Sequence, residues 1–254
     1  MFGGNLYTVT AILAGMVPLS LCCAQARSLS TLLTLTSDYR LRGVSQNNQQ
    51  VTPQIEIDFD AGDGWSFGTI GSKVDFKDQE DTSVEVDLFA NKHFDLAEIG
   101  VDIGGFYYSY PDHDLSPGST RYSMEEVTGA LARTWGALTL SAAGAWSPDY
   151  FGQAGNGWYL EGGAQYEIEP WLSLSSHLGQ QWVQHWDSRI GSGHPYQHWD
   201  VGLTATFDQA SIDLRYVGTS LTKAECLLTQ GGLHWCETTV IASLSYRVGV
   251  LGDE

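Results

Sequence analysis

The sequence predicts an all-β chain, a transmembrane antiparallel β-barrel of the outer-membrane type with about 12 strands. Three observations predict it. Apolar and polar residues alternate with a two-residue period along most of the chain. The connections between these segments alternate long and short. Helical periodicity is scarce, and after the leader no apolar run approaches the roughly 20 residues of a spanning helix.

The leader comes first. An uncharged, largely apolar run over 9–21 is followed by "AQA" at 24–26, small residues where a signal peptidase cuts. This predicts a cleaved secretory signal peptide over 1–26 and one barrel domain over 27–254. Leu21 directly before Cys22 argues against a lipoprotein, where a small residue is expected. Two cysteines survive cleavage, Cys226 and Cys236, and in an exported chain that parity predicts one disulfide. Metal binding by this pair would need further ligands, and only His234 lies near.

The strands follow in order. In "LTLTSDYRLRGVSQ" Leu33, Leu35, Tyr39 and Leu41 alternate with Thr34, Thr36, Asp38, Arg40 and Arg42. "QIEIDFDAG" sets Ile55, Ile57 and Phe59 against Glu56, Asp58 and Asp60, and "SVEVDLFA" sets Val84, Val86 and Leu88 against Glu85 and Asp87. Similar runs recur at 99–103, 138–142, 172–174, 199–207, 212–216 and 240–246. The stretch 65–76 shows a change of phase.

The links are long near 43–52, 77–82, 110–121, 147–156, 180–197 and 219–237, and short near 61–64, 93–97, 134–136, 168–170 and 208–209. A barrel built up from the periplasm keeps short turns inside and long loops outside, and an even strand number brings both termini to one side. Lipid offers no partner to a backbone N–H or C=O, so a spanning sheet must close on itself with apolar side chains outward. On this reading Leu33, Leu35, Tyr39 and Leu41 face lipid and the charged side faces the lumen. The competing reading is a secreted β-sandwich or barrel with a dry core and a wet outer face.

Several stretches carry a family resemblance. "LTLTSDYRLRGVSQ", "GWSFGTIGSKVDF", "DIGGFYYSYP", "SPDYF" and "YVGTSLTKAECLLTQGGLHWCETTVIASLSY" resemble the TorF family of porin-like proteins of proteobacteria over nearly all of the mature chain. The resemblance implies a barrel in the bacterial outer membrane, exported and then inserted by barrel-assembly machinery. Two departures stand out: the link 77–81 is brief, and the sequence ends "YRVGVLGDE" instead of closing on an aromatic residue, so that either Tyr246 substitutes for it or insertion is inefficient.

Candidate functional residues follow from the alternation. Asp38, Arg40, Arg42, Glu56, Asp58, Asp60, Glu85, Asp87, Asp102, Glu161, Asp213, Arg215 and Arg247 are expected to line a pore, mixed in sign but mostly acidic. Lys and Arg total 12 against 30 Asp and Glu, a formal charge of −18 that excludes nucleic-acid binding and favours cations. His185, His194 and His198 in an aromatic-rich loop are metal candidates, although an ordinary loop accounts for them and no metal or other cofactor is expected. His177 near Ser173 and Ser175 raises a hydrolase on the outer wall, but no Gly-x-Ser-x-Gly elbow or oxyanion donor accompanies it, so no enzyme is expected.

The expected function is passive diffusion of small hydrophilic solutes, cations preferred, through an outer-membrane channel. The alternative is a closed barrel with a structural or surface-binding role through its external loops.

Overall fold

The computed structural model describes residues 28–78, 81–113, 120–185 and 195–252. The expected leader 1–26, His194 and part of the fifth long link lie outside them. Fourteen strands run in chain order. They are β1 (Ser28–Thr36), β2 (Arg40–Leu41), β3 (Val44–Ser45), β4 (Thr52–Gly62), β5 (Trp65–Lys73), β6 (Val84–Leu96) and β7 (Ile99–Ser109). Then come β8 (Met124–Trp135), β9 (Leu138–Ser147), β10 (Gly157–Glu169), β11 (Leu172–Val183), β12 (Tyr196–Phe207), β13 (Ala210–Thr219) and β14 (Thr239–Gly252). Among the described residues an α-helix, α1 (Lys223–Gln230), sits between β13 and β14, and a short 3-10 turn spans Phe151–Gln153.

Twelve of the strands close into one antiparallel barrel, β1 pairing with both β4 and β14, while β2 and β3 form a separate two-stranded hairpin. Closure leaves no sheet edge unpaired, as a strand wall in hydrocarbon requires. A sandwich is thereby excluded.

The alternation is realised in three dimensions. Leu33, Leu35, Ile55, Leu88, Leu160, Leu178 and Leu203 are exposed on the outer wall, while Thr34, Thr36, Gln54, Glu85, Asp87, Thr204 and Ser245 are buried on the inner one. Exposed aromatics gather at both rims: Trp65, Trp135, Trp171 and Phe207 at the short-turn end, and Tyr107, Trp158, Trp182 and Tyr216 toward the other. Apolar rings with a polar edge favour the boundary between hydrocarbon and headgroups.

The tight turns show local sequence at work. Between Gly62 and Trp65, Asp63 (φ 53°) and Gly64 (φ 75°) both take the left-handed region, the two-residue hairpin geometry for which Asp-Gly is favoured. A Cβ on Gly64 would fall 2.2 Å from the carbonyl oxygen of His93.

Two expectations are corrected. The first wall strand stops at Thr36, and the chain then turns inward: Tyr39 and Leu41, expected to face lipid, are 2% and 7% exposed inside the barrel. Their alternation continues in sequence, but pairing with β4 and β14 ends at Thr36, so the period no longer reports the wall. The phase change in 65–76 has a simpler cause. Trp65 and Phe67 face outward, whereas Ile70 and Val74 are apolar residues on the inner side, and β5 runs without a register shift against β6.

Candidate functional site

The 37–51 link fills the long-loop half of the lumen. Leu41 pairs with Val44 across a two-residue turn in which Arg42 (φ 50°) and Gly43 (φ 82°) both have positive φ. Glycine suits that geometry, but arginine adopts it at a cost. The turn seats against the far wall so closely that a Cβ on Gly43 would lie 2.7 Å from Thr219 Cγ2 and 2.9 Å from His198 Cβ. Asn47, fully buried, returns the chain to β4 by donating from Nδ2 to Thr52 Oγ1 at 2.8 Å.

Arg42 is the centre of the contacts between the hairpin and the wall. At 2% exposure, its guanidinium donates to Glu126 Oε2 on β8 and to Gln181 Oε1 on β11, each at 2.7 Å. The ring of Tyr159 lies 4.2 Å from its carbon and that of Tyr150 lies 5.9 Å away. Tyr108 also donates to Glu126, at 3.2 Å. A charge buried this deeply is tolerable only when so paired, and removing one partner typically costs ~3–5 kcal/mol.

Glu85 on β6 is fully buried, accepting from the hydroxyls of Tyr39 and Tyr110 at 2.7 Å each. Asp87, next inward on the same strand, is 1% exposed, and its Oδ1 has no hydrogen-bond partner among the described residues. Arg40 bonds Asp38 at 2.7 Å, the carbonyl of Gly43 at 2.9 Å and that of Glu237 at 2.7 Å.

The last long link clasps this hairpin from outside. Ser45 N–H donates to the carbonyl of Trp235, Gln49 Nε2 to that of His234, and Trp235 Nε1 to Asn48 Oδ1, all at 2.9 Å. The disulfide Cys226–Cys236 joins α1 to this segment, with Cα atoms 5.9 Å apart. Both cysteines are buried in a cluster with Leu41, Val44, Tyr150 and Tyr196. Thr222 and Glu225 form a capping box at the start of α1, and Gly231 closes it in the left-handed region.

Asp112 and Glu237, on two of the long links, are held low by their hydrogen bonds. Burial pushes Asp112 up, but hydrogen bonds from Ser83 Oγ and the Ser83 and Val84 amides outweigh it and hold the group below the aspartate range. Hydrogen bonds from Lys223 and then His234 hold Glu237 below the glutamate range.

Below the hairpin the inner face is less tightly covered. Glu56, Asp58 and Asp60 form a half-buried row on the inner face of β4. Arg247 comes from β14 and donates to Ser30 Oγ at 2.9 Å. Asp102 accepts from Asn91 and meets His93 Nδ1, each at 3.0 Å. On the opposite wall Arg215 bonds Asp213 and Ser175, each at 3.0 Å, and Asp200, which also holds His177 Nδ1 at 2.9 Å. Glu161 accepts from Tyr159 at 2.5 Å.

Every charged residue singled out from the sequence therefore points into the barrel. Asp38, Arg40 and Arg42 do so from the inserted hairpin instead of the wall. Sequence reasoning missed Glu126, Gln181, Tyr159 and Asp200. The signal for Glu126 was present, because exposed Val127 and Leu131 set the phase of β8 and put Glu126 inward.

The remaining candidates separate. His177, Ser173 and Ser175 lie on the inner face of β11, so the outer-wall hydrolase arrangement does not form. His198 is 3% exposed inside the barrel and bonds Tyr159, whereas His185 is exposed on the loop. Among the described residues no group of three His, Cys, Asp or Glu is placed to hold a metal ion.

Residues 23–247 match the model of a family described as "Bacterial protein of unknown function (Gcw_chp)". No curated protein matches the chain by sequence. Among solved structures the chain is similar to the KdgM porin in complex with disordered oligogalacturonate, at 9% identity and a TM-score of 0.55, over 86% of this chain and 98% of that one. It is also similar to the COG4313 outer membrane channel from Pseudomonas putida F1, at 11% identity and a TM-score of 0.53, over 93% and 98% of the two chains. At such identities the likeness is one of fold.

Proposed function

We propose that this chain, which belongs to the Gcw_chp family, is an outer-membrane channel for passive diffusion of small hydrophilic solutes, cations preferred. In this reading the short turns face the periplasm, the long links face outward, and the inserted hairpin sets the constriction. The carrying observation is the closed wall itself, apolar outside and carboxylate-rich inside. The porin-like resemblance of 32–46 and 216–246 and the channel folds of the similar structures support the same reading. A leader removed at about residue 26 would deliver the chain to the assembly machinery.

Cation preference is supported by the row Glu56, Asp58 and Asp60, faced by Arg247. Carboxylates lining a confined path favour positive ions. Such an interior suits an acidic oligosaccharide poorly.

The depth at which Arg42 and Glu85 are buried favours a second reading, a closed barrel acting through its loops. Planar-bilayer recording separates the two. The refolded protein and a variant with 39–46 replaced by a short Gly-Ser link are compared across a KCl gradient. The variant should give larger steps with a potassium-selective reversal potential. Silence from both proteins supports the closed barrel, and chloride selectivity removes the cation preference.

A further inference from the structure

Arg42 occupies a niche that reads as a receptor. Its guanidinium is met by a buried carboxylate (Glu126) and a buried amide oxygen (Gln181) at 2.7 Å, with Tyr159 and Tyr150 over it at 4.2 and 5.9 Å. Carboxylate plus carbonyl matches a planar fork of N–H donors, which a spherical ammonium cannot engage in the same way. Aromatic faces add attraction for a desolvated cation.

The tethered occupant fits imperfectly. Arg42 holds a positive φ of 50°, and its Nε finds no hydrogen-bond partner among the described residues. A free guanidinium has neither constraint: no backbone fixes it, and it can turn its donors toward both acceptors.

We propose that the niche formed by Glu126, Gln181, Tyr159 and Tyr150 is a binding site for guanidinium-bearing solutes, and that such a solute takes the place of Arg42 and so releases the hairpin. The release step rests on the channel reading, while the binding step does not. Arg42 is then an internal competitor. Tethering gives it an effective concentration of order millimolar, so solute must reach a comparable level to displace it from the wild-type protein.

The test uses methylguanidinium chloride as probe and methylammonium chloride as control. In detergent micelles, R42A should gain thermal stability from millimolar methylguanidinium and not from methylammonium. Adding E126Q to R42A should weaken that affinity roughly tenfold or more, the scale of one lost charge-assisted hydrogen bond. In bilayers, methylguanidinium should raise the open frequency of the wild-type protein, a readout independent of whether R42A folds.

Equal stabilisation of R42A by both cations, or a gain that survives E126Q, overturns the niche. Wild-type conductance unmoved by methylguanidinium while the Gly-Ser link variant conducts overturns the release step. Selective rescue of R42A with no conductance from any variant would keep the niche and remove the channel reading.

Discussion

The backbone N–H of Ser45 donates to the carbonyl oxygen of Trp235 at 2.9 Å, which ties the hairpin inside the barrel to the link outside it. Trp235 neighbours Cys236 in sequence, and Thr219, against which Gly43 packs, donates to the carbonyl of Cys236 at 3.0 Å. The conformation of the disulfide-closed link therefore sets where the hairpin rests.

Replacing both Cys226 and Cys236 with alanine should loosen that rest. A disulfide closing a short loop is typically worth ~2–4 kcal/mol. The denaturation midpoint in micelles should fall accordingly, and opening events in bilayers should become more frequent. Unchanged opening at a lowered midpoint would mean that the link stabilises the barrel without holding the hairpin.

Gly43→Ala should displace the hairpin without touching any charge. The new methyl would meet Thr219 Cγ2 at 2.7 Å, His198 Cβ at 2.9 Å and the Gly218 carbonyl at 3.3 Å, on a backbone at φ 82°. The left-handed conformation alone costs an alanine ~1–2 kcal/mol. Higher basal conductance than wild type, read in the same bilayers, is the expected result.

Leu178→Arg tests where the outer wall sits. Leu178 is 59% exposed, so in water the change would be nearly neutral. In a bilayer an arginine near the midplane of a barrel wall costs ~2–4 kcal/mol. Unfolding from lipid vesicles should show that loss, and tolerance equal to that of a surface site would count against membrane burial.

Asp112 gives the link between β7 and β8 an acid limit. Its carboxyl is held below its ordinary value, so the stabilisation it brings is present above that value and is lost as pH falls through the lowered one. The group is largely solvent-exposed, so the effect stays below ~1 kcal/mol. Hydrogen exchange should show the Ser83 and Val84 amides losing protection on acidification, and D112N should remove that pH dependence.

The wall was legible because a closed sheet with one apolar and one polar face imposes one rule on every strand. Ile55, Ile57 and Phe59 against Glu56, Asp58 and Asp60 declare a side each, and "AGDG" declares a tight turn. The cysteine pair was legible for a different reason, the parity left once residues 1–26 are read as a leader. The inserted hairpin was not. Tyr39, Leu41 and Arg42 keep the strand period after the strand has ended, and only a three-dimensional partner such as Glu126, 84 positions away, shows that they lie inside. Ile70 hid for the opposite reason, since an apolar side chain on the inner face is legible only once something is known to pack there.

The seam of the barrel carries one more consequence. β1 and β14 are its first and last strands; the hairpin follows β1 directly, and the disulfide-closed link directly precedes β14. Zipping those two strands together draws both halves of the closure into place in the same act. A barrel completed at this seam therefore has its lumen narrowed as soon as its wall is continuous, with no later step needed to seat the hairpin.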